Sequence, residues 1–95
     1  MIERIFEWDA KKAALNVSDH RISFEEAVTA WNDPNRIVDP DIVHSTETEY
    51  RESVLGLSEK LRLLVIIFTE RHETIRIISA RKANQAETRR YAGQI

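Results

Sequence analysis

Apolar and polar positions change period along this chain in an order that sketches its elements. Arg4-Ile5-Phe6-Glu7-Trp8 alternates at the two-residue period of a strand and ends at Asp9, a residue suited to cap a helix. Lys11 to Asn16 reads as a short helix with Ala13, Ala14 and Leu15 among its contacts, followed by a turn through Ser18, Asp19 and His20. Ser23-Phe24-Glu25-Glu26 has the form of a capping box, in which the Ser23 hydroxyl accepts from the Glu26 amide while the Glu26 side chain reaches back. A second helix therefore starts near Phe24, buries Phe24, Ala27, Val28 and Trp31, and stops before Asp33-Pro34.

Beyond Pro34 the pattern turns to sheet. Arg36 to Asp39 reads as a short strand before a polar loop from Pro40 to Thr48, and Glu52 to Leu57 as a second strand with Gly56 as a bulge or a point of close approach. Leu61 to Thr69 is nearly all apolar, as expected of a strand covered on both faces. Thr74 to Ala80 is rich in β-branched residues and pairs with it as an antiparallel hairpin turning at Arg71-His72-Glu73. From Ala83 to Tyr91 the helical period returns, with Gly93 as the stop. The order β-α-α-β-β-β-β-α predicts an α+β fold: an antiparallel β-sheet meander with two N-terminal helices and one C-terminal helix. The length of 95 residues, without repeats or a linker-like stretch, predicts one domain over 1–95.

Composition narrows the chemistry. There is no cysteine, so disulfides, thiolate nucleophiles and cysteine-held zinc are excluded. The start, MIERIFEWDAKK, is charged from its third residue, and the longest apolar run, 63–68, is far below the roughly 20 residues of a membrane span. A cytoplasmic protein, complete as written, with no membrane partner is the expectation. Net charge is −2, but it is unevenly spread. Residues 1–59 hold 6 Lys/Arg against 13 Asp/Glu, and residues 60–95 hold 8 against 3. A chain so polarised can offer phosphate a local basic surface, although two solvated charged faces would give the same counts.

No HExxH, acidic metal cluster, P-loop or GxSxG turn is present, and no pair of the three histidines has ligand spacing on a predicted helix, so neither metal nor cofactor is expected. Arginines on strands remain. By simple alternation Arg76 shares a face with Ile78 and Ala80, while Ile75, Ile77 and Ser79 face the other way. Arg81 follows at the strand's end, and Arg62, opening the preceding strand, falls near the Ala80–Arg81 end of its partner. Guanidiniums gathered at a sheet edge suit phosphate, each donating two parallel hydrogen bonds, and stabilise charge developing during attack by a neighbouring 2′-hydroxyl. The alternative is pairing with local acids such as Glu73 and Glu87. His20 offers proton transfer near neutral pH, or else serves as an ordinary turn residue. His44 and His72 read as surface residues, and Trp8, Phe24 and Trp31 as core. Tyr91 reads as a buried anchor or a groove edge.

Taken in order, these residues resemble a known family. Phe6-Glu7-Trp8-Asp9, Lys12, Asn16, His20, Ser23 to Ala27 and Asp33-Pro34 resemble the N-terminal half of BrnT toxins. His44-Ser45, Glu49, Arg51 and Gly56 resemble the middle, and Arg62 to Val65, Ile75 to Ala83, Glu87 and Tyr91 the C-terminal half. The resemblance implies a RelE-like fold and a ribonuclease that slows growth by damaging RNA. It also implies a BrnA-like antitoxin of the ribbon-helix-helix type, and contact with operator DNA only through that antitoxin. The assemblies expected are a dimer or a toxin–antitoxin heterotetramer. Carried over position by position, the site residues are His20 for proton transfer, Arg76 and Arg81 as phosphate clamps, Arg62 for positioning or as a third clamp, and Ser79 to orient the strand end or bind phosphate. The sequence departs from the pattern at Asp19, where a basic residue is usual, at Arg21, where glycine is common, and in a His44–Arg51 loop one residue longer than usual. A variant of the reading is a BrnT-like domain without cleavage that binds the antitoxin and supports repression.

Overall fold

The alternation read from Ile5 to Glu7 becomes a strand (β1) that lies parallel to the much later Thr74–Lys82 (β5), pairing Glu7 with Arg76. The computed structural model describes residues 4–94. Between these strands run helices α1 (Ala10–His20) and α2 (Phe24–Val28), the latter continued by a 3₁₀ turn at Thr29–Asn32. Strands β2 (Ile37–Pro40), β3 (Glu52–Leu57) and β4 (Leu63–Arg71) follow, and helix α3 (Gln85–Ala92) comes last. The sheet order is β1-β5-β4-β3-β2, so the expected antiparallel meander is present from β2 to β5 but the sheet is mixed, with β1 as a parallel edge. Parallel pairing needs a crossover, and α1, α2 and the whole meander supply it.

Alternation along β3, β4 and β5 divides the sheet into two faces. Val54, Leu64, Ile66, Phe68, Ile75, Ile77 and Ala80 pack under α1 and α2 with Ile22, Phe24 and Ala27, all buried. Trp8, Phe24 and Trp31 belong to this core: Trp8 meets Phe24 edge-on, and Trp31 sits between Phe6 and Phe68 with ring centroids 5.1 Å from each. The opposite face carries Leu55, Val65 and Tyr91, with α3 packed across β3. Apolar cover on both sides is why Leu63 to Phe68 shows no alternation in sequence. Gly56 forms no bulge; a Cβ there would lie 3.1 Å from the Ala30 carbonyl oxygen, so the glycine serves close approach.

Helix α1 runs on to His20, one turn past the expected end at Asn16, and terminates at Arg21 with φ 60. Glycine holds that left-handed conformation without strain, whereas Arg21 adopts it with a side chain. Ser23 caps α2 by accepting from the Glu26 amide, but the Glu26 side chain does not reach back. It points instead to Arg62 and Ser58. The reciprocal capping box is at Asn84 and Glu87, opening α3.

Candidate functional site

The hairpin between β4 and β5 slips by one residue: Ile67 pairs with Ser79 and Phe68 with Ile77, leaving Ile78 as an extra residue. Such a bulge reverses the alternation beyond it. Ile75 and Ile77 are buried under the helices, and so is Ala80, whereas Arg76 before the bulge and Ser79 and Arg81 after it all face the α3 side. Simple alternation had put Arg76 with Ala80 and Ser79 with Ile77; the bulge overturns that.

Ser79 and Arg81 line an open cleft of about 380 Å³ beside α3. Its floor is Val65 and Ile67, and its walls include Ser53, Glu87 and, from the loop between β2 and β3, Asp41, His44 and Arg51. Ser53 and Ser79 both pair with Ile67, from strands on its two sides, so two hydroxyls flank one apolar side chain on the same face. Arg81 donates from Nη1 and Nη2 to the two Glu87 oxygens at 2.7 and 2.8 Å, and from Nη1 to the Lys82 carbonyl at 3.3 Å. A guanidinium has five N–H donors, so among the described residues Nε–H and one Nη2 hydrogen, the other fork of the group, remain for a ligand. Arg81 in turn holds the Glu87 carboxyl below the usual carboxylate range, against the effect of burial.

The other arginines are placed differently. Arg76 stands on the same face but outside the cleft, with Nη1 3.6 Å from Glu7. Arg62 lies on the helix side. Its Nε donates to Glu26 Oε2 at 2.9 Å, its Nη2 to Glu26 Oε1, and its Nη2 also to the Arg21 carbonyl at 3.2 Å. Glu26 is 2% exposed, and the hydrogen bonds from Arg62, opposed by burial and joined by one from Ser58, hold its carboxyl below the usual range. His20 is exposed on the last turn of α1 and does not line the cleft. The structure thus brings Ser79 and Arg81 together, sets Arg76 beyond them, and leaves His20 and Arg62 with the helices of the other face.

Sequence reasoning missed Ser53, Arg51 and His44 as cleft residues. Ser53 carried a signal, since alternation puts it on one face with Leu55. Arg51 and His44 figured in the family resemblance but carried no local signal, because hydrogen bonds within the loop place them. Ser45 Oγ donates to the Asp41 carbonyl at 2.7 Å and accepts from the Arg51 amide at 2.8 Å, while Asp41 N–H meets the Arg51 carbonyl at 2.9 Å. Tyr91 is the buried anchor of α3. Its hydroxyl donates to Asp33 Oδ2, which also accepts the Leu57 amide at 2.8 Å. Burial and the Asp33 carboxylate push the Tyr91 phenol up to about 12.

A mixed five-stranded sheet with helices on both faces, and an arginine- and serine-lined cleft against the last helix, defines a small α+β protein with a surface site suited to an anion. Residues 8–87 match the family described as ribonuclease toxin, BrnT, of type II toxin–antitoxin systems, and the chain belongs to that family. Membership of a type II system gives it an antitoxin as partner. Among solved structures it is similar to the Brucella abortus ribonuclease toxin BrnT, with a TM-score of 0.66 and 22% identity, covering 87% of this chain and 100% of that one; the likeness is one of fold. No curated protein matches the sequence. Among the described residues no helix is long and apolar enough to cross a membrane.

Proposed function

We propose that this chain is a cytoplasmic, metal-independent endoribonuclease that arrests growth, and that its site is the cleft beside α3. The observation that carries the reading is Arg81, whose guanidinium is aligned by Glu87 through one fork while the other is left for a phosphodiester. In cleavage by the adjacent ribose, the 2′-oxygen attacks phosphorus and negative charge builds on the phosphate oxygens. A fixed guanidinium stabilises that charge without reorganising. The hydroxyls of Ser53 and Ser79 flank the same floor and serve as further donors. Arg76 is an outlying clamp for the neighbouring phosphate. His20 and Arg62 have no part in this site.

Membership of the BrnT family supports the wider assignment: a RelE-like protein neutralised by a BrnA-like, ribbon-helix-helix antitoxin, assembling as a dimer or a toxin–antitoxin heterotetramer that reaches operator DNA only through the antitoxin. Expression of the chain alone in a bacterium tests the reading, with growth and total RNA integrity as readouts. Growth arrest with RNA loss is expected, relieved by Arg81→Ala while the protein stays soluble and folded. An Arg81→Ala variant as toxic as the parent would remove Arg81 from the site. A second reading, a non-cleaving module that binds antitoxin and supports repression, is favoured by one observation: both cleft arginines already hold carboxylates, Arg81 with Glu87 and Arg51 with Glu49. Normal growth with intact RNA would select it.

A further inference from the structure

Cleavage by a neighbouring 2′-hydroxyl needs a group that removes its proton, and of the three histidines His44 alone lines the cleft. We infer that His44, oriented by Asp41, is the proton-transfer residue of this site; the inference rests on the ribonuclease reading above. His44 Nδ1 lies 2.7 Å from Asp41 Oδ2. A carboxylate only accepts hydrogen bonds, so Nδ1 carries a proton, and in the neutral ring the lone pair lies on Nε2. The two side chains are unequally covered: that of Asp41 is 11% exposed and that of His44 is 59% exposed. The acid is tucked beneath and the imidazole is open to a ligand, as a base acting on a large substrate requires.

Asp41 is itself fixed. Its N–H donates to the Arg51 carbonyl at 2.9 Å, and its carbonyl accepts from the Ser45 amide at 3.0 Å and the Ser45 hydroxyl at 2.7 Å. The charged groups that share the cleft with the imidazole are Asp41 and Arg51 of its own loop, Arg81 of β5 and Glu87 of α3. Arg51 is engaged by Glu49 through Nε at 2.7 Å. The imidazole therefore has a carboxylate behind it and the phosphate-binding guanidinium within the same cleft. His44 Nε2 takes the proton of the ribose 2′-hydroxyl as the 2′-oxygen forms its bond to phosphorus. The bond from phosphorus to the 5′-oxygen breaks, giving a 2′,3′-cyclic phosphate. The proton passes from the imidazolium through solvent to the departing 5′-oxygen, which restores the neutral ring. Asp41 acts as a positioning residue.

The test is steady-state cleavage of a single-stranded RNA oligonucleotide by the purified full chain and its variants His44→Gln, His44→Ala, Asp41→Asn and Arg81→Ala. His44→Gln is expected to lower kcat on the order of 10²-fold with KM within about threefold of the parent. Asp41→Asn lowers kcat in the same direction by a smaller factor. Added imidazole restores part of the His44→Ala rate, which a merely structural role would not allow. If His44→Gln keeps kcat within about threefold while Arg81→Ala is inactive, the dyad is overturned and the ribonuclease reading stands. Loss of activity in His44→Ala without imidazole rescue also overturns the proton-transfer role. If the parent chain cleaves no RNA, the ribonuclease reading fails and takes the dyad with it.

Discussion

Arg62 and Arg81 flank neighbouring strand ends and each grips one glutamate with two nitrogens, yet burial gives them different tasks. Glu26 is nearly inaccessible, so Arg62 neutralises a carboxylate that would otherwise be stranded in the core. Removing one partner of such a pair is costly because the other charge stays buried. Arg62→Ala is expected to lower unfolding free energy by about 3 kcal/mol in denaturant titrations. A change below about 1 kcal/mol would show that Glu26 is satisfied by other groups. The same pair sets an acid limit. The folded Glu26 carboxyl lies below its ordinary 4.5, so its contribution is complete above that pH and fades as pH falls through the folded value. Tyr91 sets the alkaline counterpart, being raised from 10.0 to about 12 in the folded chain. A raised value contributes stability that is complete below pH 10 and lost as pH climbs towards 12. Thermal stability should therefore fall across about pH 10 to 12 in the parent, and more shallowly in Tyr91→Phe. Parallel profiles would contradict the Tyr91–Asp33 link.

At the scale of elements, the site depends on how β5 is held beyond its bulge. Strand β1 pairs with β5 only as far as Arg76. Past that point Asn16 of α1 takes over as a surrogate strand: its Oδ1 accepts the Ala80 amide at 3.0 Å and its Nδ2 donates to the Ala80 carbonyl at 2.8 Å. Asn16 is 5% exposed, so Asn16→Ala would leave both backbone groups unpaired and cost about 2 to 4 kcal/mol. Because Ala80 lies between Ser79 and Arg81, the variant should also lose RNA binding more than Ala13→Gly on the same helix; equal loss would mean that Asn16 supports only the fold. These contacts mark where sequence reading reaches its limit. The segment Glu52–Leu57 was legible to the residue, because β-period and turn residues are local signals. The parallel β1–β5 pair was not, since it joins residues about 70 positions apart. The bulge at Ile78 was equally hidden. A strand of β-branched residues looks the same with or without an extra member, so alternation placed Ser79 on the wrong face. Arg81 was legible from the strand and Ser79 from family resemblance; His44 and Arg51 stood in the resemblance without a role, and Ser53 joined the cleft only through tertiary structure.

Across the whole molecule, charge segregated in sequence is mixed in space. The basic C-terminal stretch meets the acidic N-terminal stretch at Arg62–Glu26, Arg71–Glu49, Arg76–Glu7 and Arg90–Asp39. Each of these four arginines is thus balanced by a carboxylate, and the proposed site rests above all on the second fork of Arg81. The proposed site puts RNA on the α3 side of the sheet and not on the helix side that carries His20 and Arg62. Backbone amide chemical-shift mapping with a short 2′-O-methyl RNA, a substrate mimic that lacks the attacking hydroxyl, checks this placement. Perturbed amides are expected to gather at Ser53, Ile67, Ser79, Arg81 and the His44 loop. Perturbations gathered at His20, Arg21 and Arg62, with the cleft silent, would contradict it.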